Sequence, residues 1–205
     1  MNFLRSLAVP ASLAALLLAG CHVTTHKDGK NDNVDIGTPF GSMQVKTDNQ
    51  GNTSTIGIAT YPGAVLVNSN NDKTDKGSAD INMNFGSFHL GVKAASYQTS
   101  DPQSKVEAFY RKDLARYGDV IECRDNSPVG QPTRTSQGLT CDTKNVKNHI
   151  NINDDDSKAD LELRTGSEQH QHIVGIEAKD GGTKIGLVAL DLPSGLVSHD
   201  RKDSE

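Results

Sequence analysis

Residues 81–94 alternate apolar and polar side chains almost without a break. Ile81, Met83 and Phe85 are separated by Asn82 and Asn84, and after Gly86-Ser87 the pattern resumes at Phe88, Leu90, Val92 and Ala94. A period of two belongs to a strand with one buried and one wet face, because successive side chains point to opposite sides of the pleat. The Gly-Ser interruption is where a tight turn reverses the chain, so the stretch predicts a β-hairpin. Its sheet is antiparallel, with one face in a core and the face carrying Asn, His89 and Lys93 nearer water.

A second segment carries the helical period. Val106, Phe109, Tyr110, Leu114 and Tyr117 are spaced so that they fall on one face of a helix over about 101–117. Ser100 or Asp101 is the expected N-cap, with Gln103 completing a capping box from Ser100, Pro102 in the first turn and Gly118 as a left-handed C-cap. The stripe reads as a face that packs on a sheet rather than as a ligand groove. Strands are expected at 40–47, 55–60, 65–67, 120–123, 138–142, 146–152, 160–165, 170–178 and 183–192. The polar run 48–52 would turn the first two into a hairpin, Tyr61-Pro62-Gly63-Ala64 suits a type II turn, and 68–78 is a polar loop. The expected fold class is α+β, mainly antiparallel β-sheet with one principal amphipathic helix packed on it.

Charge and aromatic content narrow the function. The formal net charge is −5, and the longest basic clusters are the pairs Arg111-Lys112 and Arg201-Lys202. Nucleic acid is therefore not an expected partner, because phosphate binding needs a basic stripe that releases counterions. Aromatic residues make up 4% of the chain and Trp is absent, which disfavours a stacking groove for sugars or bases. At the start of the chain, Arg5 precedes an apolar run from Leu7 to Ala19 interrupted by Pro10 and Ser12. That run is well short of the roughly 20 residues a membrane span requires, so it reads as a secretion signal.

The leader ends in Leu18-Ala19-Gly20-Cys21, which resembles the lipobox of bacterial lipoproteins. The resemblance implies a thioether-linked diacylglyceryl group on Cys21, cleavage before it, acylation of the new amino terminus by a fatty acid such as palmitate, and membrane attachment through that lipid. His22 stands where Asp would signal inner-membrane retention in the enterobacterial sorting rule, so under that rule the expected location is the periplasmic face of the outer membrane. Each buried acyl methylene contributes about 0.8 kcal/mol, so no second membrane signal is needed. The organisation that follows is a lipoprotein signal peptide at 1–20, the lipidated Cys and a flexible tether at 21–35, a single α+β domain at 36–192 and a disordered polar tail at 193–205. With Cys21 assigned to lipid, Cys123 and Cys141 remain in a compartment where disulfides persist, and they are expected to pair and to tie neighbouring strands. Closing a loop of about seventeen residues is worth about 3 kcal/mol in the chain-entropy model. The spacing lacks the Cys-x-x-Cys pattern of a redox-active pair.

A second, shorter resemblance covers about 60 residues. Tyr61-Pro62-Gly63-Ala64, a hairpin, and then Ser100-Asp101 leading to Val106-Glu107-Ala108-Phe109-Tyr110-Arg111 and Leu114 are similar to an arrangement in uncharacterised bacterial envelope proteins. It implies an α+β domain and supplies neither an activity nor a site.

Patterns that carry catalysis are absent from the sequence: no Gly-x-Ser-x-Gly elbow, phosphate-binding Gly-Lys-Ser/Thr, His-Glu-x-x-His or dinucleotide glycine fingerprint occurs. Asp154-Asp155-Asp156 with Asp160 and Glu162 invites a calcium reading. An EF-hand starting at Asp154 needs an oxygen ligand and Gly where the chain has Lys158 and Ala159, so a solvated acidic turn is the better account. The best metal candidate is His170-Gln171-His172, whose two imidazoles share a strand face and can chelate one transition metal. Zinc asks for further ligands, which would have to come from His149, His89 or Asp160, or from His22 and His26 if the tether folds back. Strict alternation also puts both histidines on the face of Val174 and Ile176, at the margin of a core. No catalytic residue and no cofactor is assigned. The expectation is a lipid-anchored envelope protein, not an enzyme, with an interaction or structural domain and an unidentified envelope partner. The alternative is a small-ligand or transition-metal-binding periplasmic lipoprotein.

Overall fold

The computed structural model describes residues 20–27, 31–48, 56–67, 77–142, 159–179 and 181–194. Within them lie β1 (His22–Lys27), β2 (Asn31–Thr38), β3 (Gly41–Asp48), β4 (Val65–Leu66), β5 (Ser78–Phe85), β6 (Phe88–Thr99), helix α1 (Gln103–Leu114), β7 (Val120–Arg124), β8 (Ser127–Pro128), β9 (Leu161–Gly166), β10 (His170–Lys179) and β11 (Gly182–Asp191). The strands form one sheet in the order β1-β2-β3-β5-β6-β11-β10-β9-β7-β8, with β4 also on β6. Every pairing is antiparallel. The described residues are thus mainly antiparallel sheet with one short helix.

The alternating stretch forms the hairpin β5–β6, closed by Phe85 opposite Phe88 around Gly86, whose φ of +60° favours glycine. One edge of β6 holds β5 up to Ala95 and then β4, opposite Tyr97 and Gln98. The other edge pairs with β11 from Gly91 to Thr99. Tyr97, Ile185, Ile176 and Leu161 make one cross-strand row, and Ala95, Leu187, Val174 and Leu163 make the next. Helix α1 lies on these rows with Val106, Tyr110 and Leu114 fully buried. Burying each such side chain contributes about 1.5–3 kcal/mol, which exceeds what intrinsic preference gives a helix this short.

The two faces change character along the sheet. Toward β1, the helix side carries Asn33, Lys46, Asp80 and Lys93 in one row, while the opposite side carries Val34, Val45, Ile81, Val92 and Leu190. The Tyr61–Ala64 turn closes with Ala64 N–H donating to the Tyr61 carbonyl (3.0 Å) and Gly63 at φ +76°, the type II arrangement.

Several expectations are corrected. Residues expected to be a flexible tether form β1 and most of β2, because Val23, Val34 and Ile36 alternate onto the apolar side of the sheet. The hairpin expected between 40–47 and 55–60 does not form: β3 pairs with β2 and β5, and Ile56 and Ile58 are buried in an extended segment outside the sheet. The helix starts after Pro102 with no side-chain cap, since the Asp101 carboxylate is taken by the Tyr61 hydroxyl (2.7 Å) and Lys105 (3.1 Å). It ends at Leu114, and Ala115–Tyr117 continue as a 3₁₀ turn. Gly118 has φ +120° and ψ −152°, outside the left-handed helical region. Cys123 is on β7, but Cys141 lies outside any strand, just after the isolated bridge of Arg134 and Thr140, so the disulfide ties a strand to a loop rather than two strands. The expected strand at 146–152, the acidic run 154–156 and residues 195–205 of the tail lie outside the described residues.

Candidate functional site

Strand β10 places His170 and His172 on the face of Val174 and Ile176, as alternation requires, but the two imidazoles enter different surroundings. His170 is exposed, and its Nδ1 lies 2.8 Å from Asp191 Oδ1 on β11, directly across the ladder. His172 is half-buried and stacked on Tyr117, with centroids 3.9 Å apart and planes 11° from parallel. The Tyr117 hydroxyl and the Arg116 guanidinium both donate to the Gly57 carbonyl. Gly57 has φ +81°, and a Cβ there would stand 2.9 Å from Tyr117 Oη and 3.4 Å from His172 Nε2, so glycine is required on two counts. Arg116 also sits 4.9 Å from the Tyr117 ring centroid and pairs with Asp113 at 3.2 Å, while Asp113 accepts the Ala59 N–H (3.0 Å). Thr165, opposite His172 on β9, buries a hydroxyl with no hydrogen-bond partner. The whole group is a stacked plug that holds segment 56–61 across the end of the helix and closes the margin of the core.

The other residues expected around a metal are not brought to the two histidines. His89 bonds to Asn84 at the β5–β6 turn, and Asp160 accepts the Ala178 N–H (2.9 Å) at the opposite end of β10 from His170. His22 and His26 belong to β1 at the far edge of the sheet, and His149 lies outside the described residues. Among the described residues, no group of three or more His, Cys, Asp or Glu is placed to hold a metal ion. Sequence reasoning named Tyr117 only as a helix-packing residue and missed its stacking partner; the Asp113–Arg116 spacing was the available signal.

Burial lowers the His172 pKa below its ordinary 6.5; Asp191 and Asp113 oppose the shift and Arg116 adds to it. Between that lowered value and 6.5 the unfolded chain binds more protons than the folded one, so this contribution to stability is complete above 6.5 and falls as pH drops through the window. A His172→Gln variant is expected to flatten the pH dependence of the urea midpoint on the acid side. An unchanged slope would show that His172 does not control it.

At the end of the sheet where β6 finishes, an open groove of about 770 Å³ is lined by Gly63, Val65, Gln98, Ser100, Lys179 and Lys184 among others. Both lysines pair with Glu177, at 3.0 and 3.9 Å. Among the described residues, its lining contains no His, Cys, Asp or Glu.

Cys21 lies at the opposite end, exposed and directly before β1. Cys123 and Cys141 are joined, with Cα atoms 5.6 Å apart, and pack with Ile121 and Leu139 into a small core of their own. These features define a β-rich α+β domain with one disulfide-closed loop and one exposed cysteine at the edge where the sheet begins. No protein-family model matches the chain, and neither a curated protein nor a solved structure matches it. Among the described residues, no helix is long and apolar enough to cross a membrane.

Proposed function

We propose that this is a lipid-anchored protein of the bacterial cell envelope, carrying a noncatalytic interaction or structural domain at the periplasmic face of the outer membrane. In this reading α1 serves as the principal amphipathic element that closes one face of the sheet. The observation that carries the proposal is the Leu18-Ala19-Gly20-Cys21 box behind a short apolar leader. Two features of the domain support it. Cys21 is exposed, which leaves its thiol open to modification, and the one disulfide suits an oxidising compartment. A contact role is supported by the engagement of the histidines with Asp191 and Tyr117 and by the open groove distant from Cys21.

The test is the fate of Cys21. The natural chain is expected in the membrane fraction, with the mass of its mature N-terminal peptide raised by acyl groups, and Cys21→Ala is expected to lose the added mass and leave that fraction almost entirely. A Cys21→Ala protein that partitions as before, against a natural chain without added mass, overturns the reading.

A further inference from the structure

Cys21 emerges among the apolar residues of the sheet rather than on a free tether. In the uncleaved chain Gly20 lies beside Pro39, where a Cβ on Gly20 would come 2.9 Å from the proline ring, which places the adjoining Cys21 at the β2–β3 turn. Pro39 and Phe40 turn β2 into β3, Gly41 opens β3 opposite Phe85, and Phe85 faces Phe88 across the next turn. The end of the sheet that holds Cys21 therefore also holds Phe40, Phe85 and Phe88, three of the chain's five phenylalanines. Phe40 is 84% exposed and Phe85 39%, Phe88 is half-buried, and Val23 beside them is 62% exposed. Behind them on the same side of the sheet run Val23, Ile36, Met43, Met83 and Leu90 in one cross-strand row. The β5–β6 hairpin projects past its neighbour, since β11 stops at Asp191 opposite Gly91.

Charge is distributed in the same sense. Charged residues make up 23% of the chain, yet segments 20–26, 36–43 and 84–92 contain no Asp, Glu, Lys or Arg. Farther along the same strands lie Lys27, Asp32, Lys46, Asp80 and Lys93. Missing acids remove the repulsion that an anionic lipid surface imposes, and missing bases mean that such a surface cannot attract this end from a distance. A patch of this kind stays on a bilayer only when something else holds it there. An acylated residue in its midst does that by raising the local concentration of lipid around it.

We propose that the Cys21 end of the sheet is a lipid-contacting surface: Phe40, Phe85 and the apolar row behind them enter the interfacial region of the same bilayer that takes the acyl chains. The proposal rests on lipid attachment at Cys21 as proposed above. It gives the domain a fixed orientation, with the strands standing away from the membrane. Strand β6 spans about 35 Å, so the groove beside Val65, Gln98 and Lys184 faces the aqueous side, where a partner reaches it.

The chain contains no Trp, so one introduced Trp reports its own surroundings. Phe40→Trp and Val65→Trp, both at exposed positions, are to be made in the full chain, purified from membranes and reconstituted in vesicles of phosphatidylethanolamine and phosphatidylglycerol with brominated acyl chains. Intact mass is read on the same samples. Phe40→Trp is expected to emit to the blue and lose most of its intensity to the bromines, and Val65→Trp to do neither. An acylated protein whose Phe40→Trp emission matches that of Val65→Trp overturns the docking surface and leaves the anchor standing. A protein without acyl mass overturns the anchor and, because this surface needs the anchor to hold it on the bilayer, the docking surface with it. A blue shift that grows with protein concentration in detergent and is insensitive to bromine assigns the patch to a second copy of the chain, which also overturns the lipid proposal.

Discussion

Replacing Tyr110 with alanine is expected to cost about 3–5 kcal/mol, the range for removing a large aromatic side chain from a core. Domains of this size are held by about 5–15 kcal/mol in total, so the variant should be close to unfolded at modest denaturant. The size of the effect follows from where the ring sits. Tyr110 is fully buried between α1 and the sheet and meets Phe109 edge-on at 5.0 Å and Tyr61 at 6.4 Å. Its hydroxyl accepts the Tyr61 backbone N–H at 3.1 Å, and burial pushes the phenol well above its ordinary value, so the proton stays on. Tyr110→Phe keeps the ring and removes the acceptor. Tyr61 is itself buried, so the orphaned N–H is expected to cost about 1–3 kcal/mol. Urea unfolding should show both shifts in the midpoint at unchanged slope. If Tyr110→Ala loses no more than Tyr110→Phe, the ring is not holding the turn and the helix together.

What sequence reasoning reached, and what it missed, follows from which faces of a strand are dry. The alternation or apolar runs of β5, β6, β10 and β11 could be read directly as strands, including the shared side of His170, His172, Val174 and Ile176. The Ile81-to-Ala94 face expected in the core, however, lies on the side away from α1, and the core takes Ala95 and Tyr97 from the other face of β6. Strands β1 and β2 place few apolar residues among Thr, Asn, Asp and His, and such sparse patterns resemble a polar tether until a neighbouring strand supplies the hydrogen bonds. Ile56 and Ile58 alternate like a strand for the opposite reason: their side chains are buried but their backbone is held by side chains. Ala59 donates to Asp113, Tyr61 donates to Tyr110, and the Gly57 carbonyl is taken by Tyr117 and Arg116. A period of two reports burial and does not report which backbone pairs with which. The Asp125-Asn126 turn was legible in principle. Both residues have positive φ, and Asx residues tolerate that conformation, but the pair was absorbed into the loop between the cysteines. The exposed phenylalanines are equally visible as residues, but only the pairing of β2, β3, β5 and β6 reveals that they collect at one end.

Removal of the disulfide by Cys123→Ala with Cys141→Ala is expected to lower global stability by about 3 kcal/mol, the value for freeing a loop of this length in the unfolded chain. The native contacts say where the loss appears first. Between the cysteines the loop is pinned to β9 by Thr135, whose hydroxyl donates to the Gly166 carbonyl (2.8 Å) and accepts the Leu139 N–H (2.9 Å). Beside it, Arg164 is 5% exposed, ion-paired with Glu162 and donating to the Cys141 carbonyl at 3.3 Å. A buried guanidinium is tolerated only while those acceptors stay in place. Opening the bridge releases Cys141, admits water to Arg164 and leaves β7 with few partners besides β8 and β9, at the edge of the sheet. Hydrogen exchange should therefore accelerate in β7 and in the loop well before it changes at Ile176, Ile185 or Leu187, which lie under α1. Arg164→Met supplies the internal check. If the loop is what keeps the guanidinium dry, the substitution has a smaller effect without the disulfide than with it, and a double-mutant cycle reads the difference directly. Equal effects in both backgrounds would mean that the bridge acts on the unfolded chain alone and that the edge of the sheet holds itself.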